Sequence, residues 1–139
     1  MAISSSSQPA MMAMMLEQLD LQPGHRVMEI GAGTGYNAVL IAHLVGVRGH
    51  VVTIDFDEDI VLDTRRHLAA NGIVNIDVIR TDSGQGFPDG APFDRIILTV
   101  GDWDIAPAWR GLLVANGRLV LPLSFGGPQL AVAFQAMVV

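Results

Sequence analysis

A chain of 139 residues, half of them hydrophobic and 16% charged, can bury one substantial core and is neither a disordered tail nor a coiled coil. Its net charge of −6 argues against a nucleic-acid partner, whose phosphates need a basic surface, and the lack of cysteine excludes disulfides and thiolate metal sites. No apolar stretch approaches bilayer length and no basic leader precedes one, so the expectation is a single cytoplasmic domain over residues 1–139 with no membrane partner.

Residues 1–8 form a serine-rich N-terminal segment, and Pro9 suits the first turn of a helix capped by Ser7 or Gln8. Met11, Met12, Met15, Leu16 and Leu19 fall on one face of that helix, and Gln22-Pro23-Gly24 is expected to stop it. A strand follows over about His25–Ile30, then a helix over Tyr36–Val45 and a strand over His50–Asp55. Next come a helix over Glu58–Ala70, ended by Asn71-Gly72, and a strand over Ile76–Arg80. Asp82 to Pro92 reads as a loop, Phe93 to Thr99 as a strand and Asp104 to Leu113 as a short helix. Asn116-Gly117 leads into a strand over Arg118–Leu123, and Gln129–Phe134 forms a last strand after Gly126-Gly127-Pro128. Strands alternating with helices predict an α/β fold: a mostly parallel twisted sheet, apolar on both faces and covered by helices on both.

The chemistry gathers at the strand ends. Glu29-Ile30-Gly31-Ala32-Gly33-Thr34-Gly35 lies between the first strand and the next helix, as the first turn of a nucleotide-binding unit does. A dinucleotide fingerprint would need its third glycine at position 36, where this chain has Tyr36. The acidic Glu29 would repel a pyrophosphate but suits a cofactor carrying an amino group and a sulfonium. That chemistry points to S-adenosylmethionine, with Gly31, Gly33 and Gly35 giving the tight turn and close approach. Asp55, twenty residues after Gly35, ends the second strand where a carboxylate can accept from both ribose hydroxyls, with Phe56 beside it. Asp82 follows the third strand and can accept from an adenine amino group, with Ser83 adjacent. Thr99, Gly101 and Asp102 line the crevice at the fourth strand, and Trp103 lies where it could reach a substrate. His25, His43, His50 and His67 lack metal-ligand spacing and read as surface residues.

These segments resemble the protein-L-isoaspartate O-methyltransferase family, a class I S-adenosylmethionine-dependent group with a Rossmann-like core. The resemblance runs over about Ile3 to Phe134. It is carried by Ser7-Gln8-Pro9, by Leu21 to Gly31, by Pro92-Phe93-Asp94-Arg95-Ile96-Ile97-Leu98-Thr99 and by Gly117 to Pro122. It implies that Ser7 matches the active-site serine, with Ser6, Gln8 and Trp103 on the substrate side. It also implies that Glu29, Asp55 and Asp82 hold the cofactor's amino-acid end, ribose and adenine. The expected reaction is methylation of an aspartyl or isoaspartyl carboxylate in a peptide or protein. The chain looks truncated relative to the family at both ends. Its serine run and its Val100-Gly101-Asp102-Trp103-Asp104 stretch are more similar to peptide-tailoring relatives. The alternatives are a methyltransferase acting on RNA or a small molecule, and a non-catalytic cofactor-binding core. An amino-group DNA methyltransferase is disfavoured, because the Asn/Asp-Pro-Pro-Tyr expected after the fourth strand is absent.

Overall fold

A computed structural model describes residues 12–32, 35–81, 87–98, 111–124 and 129–135. Helix α1 covers 12–19, followed by β1 (Arg26–Ile30), α2 (Tyr36–Val45), β2 (His50–Asp55), α3 (Glu58–Ala70) and β3 (Ile76–Arg80). After a short 3₁₀ turn (Pro88–Gly90) come β4 (Phe93–Leu98), β5 (Leu113–Ser124) and β6 (Gln129–Gln135). The strands make one six-stranded sheet in the order β3-β2-β1-β4-β5-β6. All neighbours are parallel except β5 and β6, which pair antiparallel. The order reverses between β1 and β4, and such a switch point opens a crevice beyond the carboxyl ends of the strands.

Alternation along each strand divides the core in two. On one face Val27, Val51, Val78, Ile97 and Val120 pack with Met15 and Leu19 of α1, Ala38, Ile41 and Val45 of α2, and Val61 and Leu68 of α3. On the other, Met28, Ile30, Val52, Ile54, Ile96, Leu98, Leu119 and Leu121 surround the fully buried Phe93 with Phe87, Ala91, Leu112 and Leu113. Among the described residues, then, the helices gather on the first face, and loop residues flanking β4 and β5 cover the second. Burying roughly 1.5–3 kcal/mol worth of apolar surface per large side chain is what offsets the ordering entropy of these layers.

Most boundaries fall within a residue of the sequence expectation, and the larger departures are at the end of α1 and the start of β5. Helix α1 ends at residue 19, before Gln22-Pro23-Gly24, because Asp20 turns into the left-handed region (φ 51°) and donates its N–H back to the Glu17 carbonyl at 3.2 Å. The last carbonyls of α1 meet two guanidinium groups instead of a glycine cap. Arg95 donates to Leu19 (2.5 Å) and Asp20 (3.2 Å), and Arg118 donates to Gln18 (2.6 Å). A cation at a helix C-terminus is favourable both as a cap and against the helix dipole.

The second correction concerns Leu113, which does not close a helix. It opens β5, opposite Phe93, and the Phe93 N–H donates to the Leu112 carbonyl at 2.7 Å. The next pairing is Arg95 with Arg118, so the extra residues of β5 bulge around Asn116, whose φ is 64°. Asn116-Gly117 is thus a kink inside β5 and does not precede it. The rest of the expected Asp104–Leu113 helix lies outside the described residues.

Candidate cofactor site

The turn after β1 is held by its own backbone and by the strand beside it. Gly31 adopts φ 100° and donates its N–H to the Ile54 carbonyl at 2.8 Å. Gly35 adopts φ 86°, donates to the Ala32 carbonyl at 2.9 Å and stands at the N-terminus of α2 with no side-chain cap. A Cβ there would come within 2.9 Å of Thr64 Cγ2 on α3, so both the backbone angle and the close approach require glycine.

Asp55 closes the turn from the end of β2. One carboxylate oxygen accepts from the Ala32 N–H at 3.1 Å and the other from the Asp57 N–H at 3.0 Å. Asp55 is half-buried, and a carboxylate offers about four acceptor positions, so roughly half its capacity is left for a ligand. Phe56 beside it is 72% exposed, and its carbonyl accepts from Arg80 Nε at 3.1 Å. The Thr81 N–H donates to the Asp55 carbonyl at 3.0 Å, which brings the chain just before Asp82 alongside the end of β2.

Glu29 has a different environment. It is 1% exposed, and the parallel register sets it beside Thr53 of β2. Thr53 Oγ1 donates to one carboxylate oxygen at 2.7 Å, and Asn37 Nδ2, near the start of α2, donates to the other at 2.9 Å. Burial pushes its pKa up from 4.5 to about 7; the hydrogen bonds from Thr53 and Asn37 oppose that rise, and the nearby Asp55 charge adds to it. Through these two bonds Glu29 ties β2 to α2 beside the glycine turn. Thr53 and Asn37 escaped the sequence reading. Their one signal was a polar residue at position 53 within the apolar run of β2.

The structure therefore brings together Glu29, Gly31, Gly35, Asp55 and Phe56. Gly33, Asp82, Ser83, Ser6, Ser7, Gln8, Thr99, Gly101, Asp102 and Trp103 lie outside the described residues. His50 is half-buried rather than a free surface residue, with Nε2 2.8 Å from Asp77 Oδ2, and His25 is partly buried, its Nδ1 accepting from the Gln22 N–H at 3.1 Å. No group of three His, Asp or Glu among the described residues could hold a metal. A groove of about 370 Å³ lined by Val39, Ala42, His43, Val47, Ile73 and Val74 lies where β2 and β3 begin, at the far end of the sheet from Asp55.

A profile of the protein-L-isoaspartate(D-aspartate) O-methyltransferase family matches residues 2–137. The chain belongs to this family. A relative from Thermotoga maritima, a protein-L-isoaspartate O-methyltransferase, is 37% identical over 121 residues, which cover 87% of this chain and 38% of the relative. One from Methanothermobacter thermautotrophicus with the same name is 41% identical over 117 residues, 84% of this chain and 54% of the relative. A solved protein-L-isoaspartate O-methyltransferase superposes with a TM-score of 0.86 at 34% identity, over 94% of this chain and 42% of that one. A Plasmodium falciparum structure described as a complex of a family protein with S-adenosyl-L-homocysteine shares the fold (TM-score 0.74, 22% identity, 94% of this chain and 71% of that one). The chain thus spans roughly half the length of the curated relatives it matches. The Rossmann-like class I methyltransferase architecture expected from the sequence is the one observed.

Proposed function

We propose that residues 1–139 form one S-adenosylmethionine-binding domain whose activity is methyl transfer to an aspartyl or isoaspartyl carboxylate of a peptide or protein. The observation that carries this reading is the half-open Asp55 carboxylate at the end of β2. The backbone N–H of Ala32 orients it, and acceptor capacity remains for two ribose hydroxyls. Gly31 and Gly35 supply the close backbone approach, Phe56 an exposed aromatic face, and Asp82 and Ser83 the adenine contacts. Glu29 serves the cofactor's amino-acid end, its carboxylate fixed beside the glycine turn by the donors Thr53 and Asn37. When bound, the cofactor supplies the methyl group.

The chain's own task is then alignment. A substrate carboxylate has a pKa near ~4 and is ionised at neutral pH, so it needs no general base. Ser7, helped by Ser6 and Gln8, would hold that carboxylate by hydrogen bonds, and Trp103 would pack against the peptide. Alignment of reacting groups can be worth up to roughly 7–11 kcal/mol of a barrier. A cytoplasmic location suits a cysteine-free chain, and no helix among the described residues is long and apolar enough to cross a membrane.

The alternative reading is cofactor binding by these 139 residues without methyl transfer. One experiment separates the two. Calorimetry with S-adenosylmethionine should show binding, and methyl transfer to isoaspartyl and aspartyl peptides is then assayed on the same sample at saturating cofactor. Binding with transfer supports the first reading, and binding without transfer the second. Tight NAD binding with none for S-adenosylmethionine overturns both.

A further inference from the structure

Glu29 is a sealed carboxylate whose two donors are both neutral. Thr53 Oγ1 reaches one oxygen at 2.7 Å and Asn37 Nδ2 the other at 2.9 Å. Of the elements around it, β4 sets the apolar Ile97 alongside, β2 brings Thr53 and the negative Asp55, and α2 brings Asn37. Among the described residues no cation offsets its charge. The sequence holds no lysine. The described arginines of β1, α3, β3, β4 and β5 donate to backbone carbonyls or to Asp63, and Arg48 is exposed. A carboxylate taken out of water needs a partner of opposite charge, or it holds a proton instead. Burial, with the Asp55 charge adding to it, accordingly pushes Glu29 up to about 7 against the pull of its two hydrogen bonds.

Asn37 suits both states of this acid. Its Nδ2 donates to Glu29, while its Oδ1 is buried and meets no hydrogen-bond partner among the described residues. A half-turn of the carboxamide exchanges the two atoms. Nδ2 can then serve the ionised carboxylate, and Oδ1 can accept from the protonated one. One side-chain rotation lets the site hold the proton or release it. The cofactor's amino-acid end carries the charge the site lacks, in its ammonium group. This step rests on the reading above, in which the glycine turn receives S-adenosylmethionine. We infer that binding of the cofactor's ammonium group expels the proton held by Glu29 to solvent, so that cofactor affinity is set by pH through this one buried acid. The ammonium keeps its own protons. By linkage, whatever favours the ionised carboxylate is opposed by protons, so affinity falls as pH falls.

The test is calorimetry of S-adenosyl-L-homocysteine binding to the 139-residue chain in two buffers of different ionisation enthalpy. It runs from about pH 5.5 to 7, where an α-amino group keeps its charge. 5′-Methylthioadenosine, which has the adenosine part but no amino group, is the control. With S-adenosyl-L-homocysteine the expected release is about half a proton at pH 7 and nearly one at pH 6, and the affinity is about fivefold weaker at pH 6 than at pH 7. Methylthioadenosine should bind with no release. Glu29→Gln should abolish both the release and the pH dependence. Release that survives this substitution, or that methylthioadenosine shares, overturns the inference. Should that variant fold or bind too poorly to measure, Thr53→Val decides. Without that donor the acid holds its proton more tightly, so release at pH 7 must exceed that of the unsubstituted chain, and an equal or smaller release overturns the inference. Binding of S-adenosyl-L-homocysteine with no proton release overturns the inference alone. No binding of it overturns the reading on which the inference rests as well.

Discussion

Glu29 lies one residue before the end of β1 and Asp55 ends the neighbouring parallel strand β2; both are carboxylates beside the same glycine turn, yet the fold gives them different surroundings. Glu29 is sealed in, with each oxygen engaged by a side chain from a different element, and its pKa rises to about 7 because burial outweighs those two bonds. Asp55 is half-buried and, among the described residues, each of its oxygens accepts one backbone N–H, from Ala32 and from Asp57. The difference teaches that acidic residues near the ends of neighbouring strands can meet very different surroundings. Each carboxylate takes one donor on each oxygen, so the two differ in exposure, 1% for Glu29 against a half-buried Asp55. Substitutions at Glu29 should be read in stability and its pH dependence, and substitutions at Asp55 in ligand affinity.

The largest expected effect is on the Glu29 side. Its folded pKa lies above its unfolded value of 4.5, so the native state holds a proton that the unfolded chain has released. Stability from this group is fully present below pH 4.5 and is lost as pH rises through about 7, a change on the order of 3 kcal/mol. Glu29→Gln should remove that slope. Urea unfolding across this pH range checks it, and an unchanged slope in the variant would show that another group titrates.

On the Asp55 side, Asp55→Ala should weaken S-adenosylmethionine binding by about 1.5–3 kcal/mol, roughly a tenfold to hundredfold loss measured by calorimetry. The Glu29 pH slope should survive this substitution. Unchanged affinity would remove Asp55 from the ribose site, and a lost slope would mean that the two carboxylates act as one unit.

Gly35→Ala strikes the turn they share. It forces a side chain into φ 86° and into contact with Thr64, at a cost of about 1–3 kcal/mol. Both readouts should fall together, stability by thermal unfolding and affinity by calorimetry. Affinity lost at full stability would place the strain on the ligand side alone.

The smallest effect sharpens the Glu29 assignment. Thr53→Val keeps shape but deletes a hydrogen bond that lowers the Glu29 pKa, so the midpoint of the stability slope should move above its wild-type position near 7. The stability cost is about 1 kcal/mol at alkaline pH. A midpoint that moves down would contradict the bond's role in holding the ionised form.

Much of this arrangement was legible in the chain itself. The bounds of α2, β2, α3 and β3 coincide with those read from periodicity and turn residues, because each is punctuated locally by Gly35, Gly46, the Asp57 cap and Asn71-Gly72. The Asp57 side chain accepts from the Asp59 and Ile60 N–H groups, a cap written into the residues next to the helix it starts. The glycine turn and Asp55 were legible for the same reason, since backbone angles and strand ends are short-range properties.

What only the tertiary structure decided depends on residues far apart in sequence. The end of α1 is set by Arg95 and Arg118, some 75 and 100 residues away, which no local pattern announces. The early start of β5 is set by Phe93, whose N–H seeks the Leu112 carbonyl. Thr53 and Asn37 became part of the site because a parallel register sets Thr53 beside Glu29 and the turn carries Asn37 back over it. Sequence determined that Glu29 is acidic, that it lies near the end of a strand and that a glycine turn follows. How deeply that carboxylate is buried and which donors surround it were decided by packing, because both exist only once the strands and helix have come together.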